Sequence, residues 1–125
     1  MNETKKILVV DDENMIRINL EAFLEDEGFE VVSVSSGEQA VEAFQQHTDF
    51  DAAIVDIRLP GIDGNAVIMT GYKVSPKTKY ILHTGSSEYV LTPELVEIGI
   101  TEEQILFKPL LEMQSLLNVL YKILS

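Results

Sequence analysis

Five polar side chains stand where short apolar runs end: Asp11 and Asp12 after Ile7 to Val10, Asp56 after Ala52 to Val55, Thr84 after Tyr80 to His83, and Lys108 after Gln104 to Phe107. A turn-forming aspartate at one strand end needs no chemistry to explain it. Polar groups of these particular types at four of the five strand ends do. If Asp11, Asp12 and Asp56 converge, carboxylates about 4 Å apart repel by about 4 kcal/mol at an effective dielectric near 20, and the cluster wants a cation. An all-oxygen donor set with few protein ligands suits Mg²⁺, which keeps several waters and favours a carboxylate-plus-phosphate shell. Lys108 would add a point positive charge and Thr84 a hydroxyl donor, the groups that a transferring phosphoryl group requires. Asp56 is then the nucleophile.

The elements that must hold these groups are legible in outline. Ile7 to Val10 is an unbroken apolar run, the mark of a strand buried on both faces. Met15, Ile16, Leu20, Phe23 and Leu24 recur at helical spacing between Glu13 and Glu27, and Gly28 stops that helix. Glu30 to Ser35 is a β-branched strand, and Ser36-Gly37-Glu38 opens a helix carrying Ala40, Val41 and Phe44. Asn65 to Val74 reads as a helix weakened by Gly71, which costs roughly 1 kcal/mol relative to alanine. Between Gly85 and Glu103 only Thr92-Pro93 and Gly99 give helix signals, so a helix there is brief and starts late. The last helix is expected from about Leu110 to Leu124.

Strands that alternate with helices require crossover connections, hence a doubly wound α/β fold with a five-stranded parallel sheet and helices on both faces. Ligands bind such sheets at the carboxyl ends of the strands, where the five polar groups stand. At 125 residues and 46% hydrophobic, the chain reads as one domain over 1–125 with a core of its own and no room for an output domain. The net charge of −12 argues against binding nucleic acid or anionic membranes. No apolar run approaches membrane-spanning length, residues 1–6 carry no signal-peptide pattern, and cysteine is absent, so a cytoplasmic location is expected. Neither histidine belongs to a nucleophilic triad. His47 reads as a residue at a helix end, and alternation turns His83 to the face opposite Thr84.

Ile7-Leu8-Val9-Val10-Asp11-Asp12-Glu13, Asp56-Ile57-Arg58-Leu59-Pro60-Gly61-Ile62-Asp63-Gly64, Thr84-Gly85 and Lys108-Pro109 together resemble the receiver, or phosphoacceptor, domain of response regulators, and chemotaxis-type single-domain regulators in particular. The resemblance covers essentially the whole chain. It implies a flavodoxin-like sheet of strand order 2-1-3-4-5 and phosphorylation of Asp56 by a histidine kinase, a phosphotransfer protein or a small phosphodonor. The outcome would be a signalling switch that assists its own phosphorylation and dephosphorylation and is not otherwise an enzyme. Further implications are Mg²⁺ on Asp12, Asp56 and the Arg58 backbone carbonyl, Asp11 reaching the metal through water, and Thr84 and Lys108 on the phosphoryl oxygens. Gly85 would leave room for the phosphoryl group, Lys108-Pro109 would be cis, and Arg58 and Ser86 would tune dephosphorylation.

One position departs from the family. An aromatic residue often stands three places before the lysine and follows the threonine after phosphorylation; here it is Ile105. Coupling to the output surface is therefore expected to be weak or to run elsewhere, while Phe107 reads as a core residue. The last helix carries more apolar positions than one buried stripe needs, which points to an output partner or a homodimer through it. Three rival readings remain. A flavin-binding flavodoxin is opposed by Asp11-Asp12-Glu13, where a phosphate-binding loop should be. An aspartyl-phosphate hydrolase is opposed by Arg58, where a second acid should stand. A phosphorylation-independent interaction module is opposed by the complete set of acids, hydroxyl and lysine.

Overall fold

The structure, a computed structural model, describes residues 4–47 and 49–125; the expectation of no signal-peptide pattern falls partly on residues 1–3, outside that range. Strand β1 (Lys6–Val10) lies between β2 (Glu30–Val34) and β3 (Ala52–Asp56), followed by β4 (Lys79–Thr84) and β5 (Ile105–Phe107). All pairings are parallel and the order is 2-1-3-4-5, as expected. Register brings Val10 opposite Val55, and Asp56 opposite His83, so the polar residues at the strand ends meet at one sheet edge.

Helices α1 (Asn14–Asp26) and α5 (Met113–Leu124) cover one face; α2 (Gly37–Gln46), α3 (Gly64–Val74) and α4 (Pro93–Glu97) cover the other. Alternation along the strands divides the core between them. Ile7, Val9, Ile54 and Ile81 pack with Leu20, Leu24, Leu116 and Leu120. Leu8, Val10, Val55 and Leu82 pack with Phe44, Val67, Ile68 and Leu95.

The local signals act as their chemistry requires. Ser36 caps α2 by accepting from the Gln39 amide at 3.1 Å, and Asp63 caps α3 by accepting from Ala66 at 2.9 Å. Thr92 caps α4 with Pro93 in its first turn, so that helix is as short and late as expected. Gly28 at φ 97° and Gly99 at φ 99° end α1 and α4 in the left-handed region that favours glycine.

Two expectations are corrected. The last helix begins at Met113, not near Leu110, which leaves Leu111 89% exposed in the preceding loop. Phe107 is 45% exposed and not a core residue: it is the last residue of β5, a three-residue strand at the edge of the sheet. Most of the apolar surplus of α5 is absorbed internally: Leu116, Leu117 and Leu120 are buried and Met113, Val119, Ile123 and Leu124 pack partly against the core. Within that helix Tyr121 is the exposed large apolar residue.

Tyr80 is buried on the α2–α3 side with its hydroxyl unpartnered among the described residues, close to Gly71 and Phe44. Burial pushes the phenol above its ordinary pKa. An unsatisfied buried hydroxyl costs about 1–3 kcal/mol, so Tyr80→Phe should leave stability unchanged or raise it by about 1 kcal/mol. Urea denaturation measures this directly; a loss above about 1 kcal/mol would mean that the hydroxyl has a partner.

Candidate functional site

The carboxyl ends of β1 and β3 deliver Asp11, Asp12 and Asp56 to one point. One carboxylate oxygen from each lies within 4.8 Å of the others. Asp11 and Asp56 are buried and Asp12 is exposed, so the cluster forms a cleft floor with one acid at its mouth. Asp11 is fixed by the Glu13 amide, which donates to Oδ1 at 2.9 Å, and its backbone carbonyl accepts from Arg17 at 2.8 Å. The Arg58 amide donates to Asp56 Oδ1 at 3.2 Å, a bond that folds the loop after β3 back over the carboxylate.

Lys108 reaches the same point from the end of β5. Its backbone N–H donates to the Thr84 carbonyl at 2.7 Å, tying β5 to β4. The Lys108–Pro109 peptide is cis, as the family resemblance implies. Nζ lies 3.0 Å from Asp11 Oδ2, 3.2 Å from Asp56 Oδ2 and 3.4 Å from Glu13 Oε1. The sequence pattern alone gives Glu13 no role; its place one residue past the acid pair is the available signal. Thr84 is fully buried at the end of β4, and its Oγ1 accepts from the Ser86 amide at 3.1 Å. A Cβ built on Gly85 would meet open space, in keeping with a clear approach beside Thr84.

The electrostatics follow from burial. Desolvation raises the Asp56 pKa from 3.8 to about 6; Lys108 opposes the rise and Asp11 adds to it. Burial works against the Lys108 charge, but its hydrogen bond and attraction to Asp11, and then Asp56, hold its pKa above the usual lysine value. Three carboxylates against one ammonium leave two formal negative charges in a partly dry cleft. Hard oxygen donors with uncompensated charge fit a divalent cation such as Mg²⁺.

His83 faces the α1–α5 side, as alternation requires, in a cavity of about 180 Å³ shared with Ile16, Leu20, Lys108, Pro109 and Met113. Both ring nitrogens are unpartnered among the described residues. Burial, with Lys108 nearby, lowers its pKa to about 4, so the ring is neutral at pH 7. His47 lies at the end of α2, with Nδ1 3.2 Å from Lys6 Nζ, away from the site.

A sheet of this order with acids, threonine and lysine at its carboxyl edge defines a class, and comparison with known proteins places the chain in it. The sequence profile of the response regulator receiver domain matches residues 7–121. The chain belongs to that family, the phosphoacceptor switches of two-component signalling. It is 29% identical to the sensor protein GacS of Pseudomonas syringae pv. syringae over 70% of this chain and only 12% of that protein's length. The response regulator TrrA of Thermotoga maritima, solved with Mg²⁺ and beryllofluoride, superposes with a TM-score of 0.82 at 32% identity, over 96% of this chain and 99% of that one. A receiver protein from Sinorhizobium medicae WSM419 gives a TM-score of 0.81 at 28% identity, over 98% and 95% of the two chains. No helix among the described residues is long and apolar enough to cross a membrane.

Proposed function

We propose that Asp56 is the phosphoacceptor of this receiver domain. The observation that carries the reading is a buried carboxylate with an ammonium 3.2 Å away, in a cluster of three acids at the carboxyl edge of the sheet. An Asp56 oxygen attacks the donor phosphorus, an O–P bond forms, and the bond from phosphorus to the donor histidine or small-molecule oxygen breaks. Lys108 would pair with a phosphoryl oxygen, and the Thr84 hydroxyl would donate to another. Asp12, Asp56 and the Arg58 carbonyl, with Asp11 acting through water, would hold Mg²⁺, which supplies positive charge to the transferring phosphoryl oxygens. The donor is a histidine kinase, a phosphotransfer protein or a small acyl phosphate, and the place of action is the cytoplasm. The product is a changed surface read by a partner protein, and no external substrate is turned over.

Intact mass after incubation with acetyl phosphate tests this. One phosphoryl group is expected to add with Mg²⁺ present and none with a chelator. No adduct, together with no binding of beryllofluoride, would overturn the reading in favour of an interaction module that uses the receiver fold without its chemistry.

A further inference from the structure

Ile105 faces the segment 85–92, which joins β4 to α4, and offers it neither a ring nor a polar group. What holds the segment is Tyr89, whose hydroxyl donates to Asn65 Oδ1 at 2.8 Å across 24 residues of sequence. Each end of that bond leads back to the phosphoacceptor site. Asn65 sits in the first turn of α3, directly after Gly64, whose amide donates to the Ile57 carbonyl at 3.0 Å beside Asp56. On the other side, the Tyr89 amide donates to the Ser86 carbonyl at 3.2 Å, and the Ser86 amide donates to Thr84 Oγ1 at 3.1 Å. Tyr89 thus ties the loop that grips the Thr84 hydroxyl to the helix that starts beside Asp56.

The segment has room to move. A cavity of about 260 Å³ lies between Tyr89, Val90 and Leu91 on one side and Glu102, Ile105 and Phe107 on the other. We propose that Tyr89 is a positioning residue for Thr84: its bond to Asn65 keeps segment 85–92, and with it the Thr84 hydroxyl, in the position adopted without a phosphoryl group. Capture of the phosphoryl group by Thr84 then has to draw the segment away from Asn65 and towards the cavity. This rests on Asp56 being the acceptor. The coupling that the family places on a strand aromatic is carried here by a hydrogen bond between the segment after β4 and the first turn of α3.

Calorimetric titration of beryllofluoride with Mg²⁺ into wild type, Tyr89→Phe, Asn65→Leu and the double variant tests the proposal, with melting curves run alongside. Releasing one hydrogen bond of ordinary strength should tighten beryllofluoride binding by roughly fivefold in each single variant. The double variant should bind no tighter than either, because both substitutions remove the same bond. A purely structural role would shift the melting temperatures and leave affinity unchanged, which would overturn the proposal, as would weaker binding or additive effects. Wild-type protein that binds no beryllofluoride would instead overturn the phosphoacceptor reading beneath it.

Discussion

Asp56→Asn is expected to abolish the phosphoryl adduct and, in metal-free buffer, to stabilise the fold at pH 7 to 8 by about 3 kcal/mol. Asparagine keeps the size of the side chain but carries neither the nucleophilic oxygen nor the charge. The stability gain follows from linkage. Asp56 has a pKa of about 6 in the folded protein against 3.8 in an unperturbed chain. Below pH 3.8 the carboxyl is protonated in both states and folding bears no penalty. Between 3.8 and 6 the unfolded chain loses its proton first, and stability falls as pH rises. Above 6 the whole cost of burying the charge is present, about 1.4 kcal/mol for every tenfold difference between the folded and unfolded acid constants. The Lys108 ammonium is not abandoned in the variant, since Asp11 remains 3.0 Å away.

His83 works over nearly the same window with the opposite slope. Its folded pKa is lowered to about 4 from 6.5, so its contribution to stability is complete above pH 6.5 and is lost as pH falls towards 4. In wild type the two groups offset each other, and their combined pH dependence between 4 and 6 should be slight. In Asp56→Asn that offset is gone, and the histidine's contribution to stability should rise by about 3 kcal/mol from pH 4 to pH 7. Urea midpoints for both proteins with a chelator present give the difference profile, in which other titrating groups cancel. A variant no more stable than wild type at pH 7 to 8, or a gap that does not narrow towards pH 4, would refute the argument.

Gly64→Ala should cost about 2 kcal/mol and slow phosphorylation as well. A Cβ there would lie 2.6 Å from the Ile57 Cα and closer still to the Asp56 carbonyl oxygen. Both obstacles are backbone, which cannot rotate away as a side chain can. The usual overpacking cost of 1–3 kcal/mol is therefore met at its upper end, against a gain of about 1 kcal/mol from helix propensity. The movement would fall on the loop where Arg58 donates to Asp56 at 3.2 Å. Denaturation and the rate of adduct formation report the two effects; an alanine variant with wild-type stability and rate would show that the loop yields freely.

The sequence was most readable where local pattern and buried environment agreed. The apolar runs before Asp11, Asp56, Thr84 and Lys108 each made a strand, and the residue at the carboxyl end of a parallel strand stands at the site. Thr92-Pro93 and Gly99 marked α4 because capping is a matter of adjacent residues. Phe107 was misread because its exposure depends on β5 lying at the edge of the sheet, a fact of strand order that local pattern does not carry. The start of α5 was misplaced because Leu110 and Leu111 are apolar without being helical. Tyr89 and Asn65 could not have been paired by spacing at all, since only the crossover from β3 through α3 and β4 brings them together.

The two core layers differ in what they hold. Tyr89, Leu91, Val67, Ile68, Leu95 and Ile105 belong with α2, α3 and α4, so the parts attached to Asn65 and Thr84 lie in one layer. Leu20, Leu24, Leu116 and Leu120 belong to the other, with α1 and α5. The sheet is a bulkhead between them: on the proposal above, the rearrangement falls in the compartment that holds the loops, while the other, packed over Ile7, Ile54 and Ile81, serves as the chassis against which it pushes.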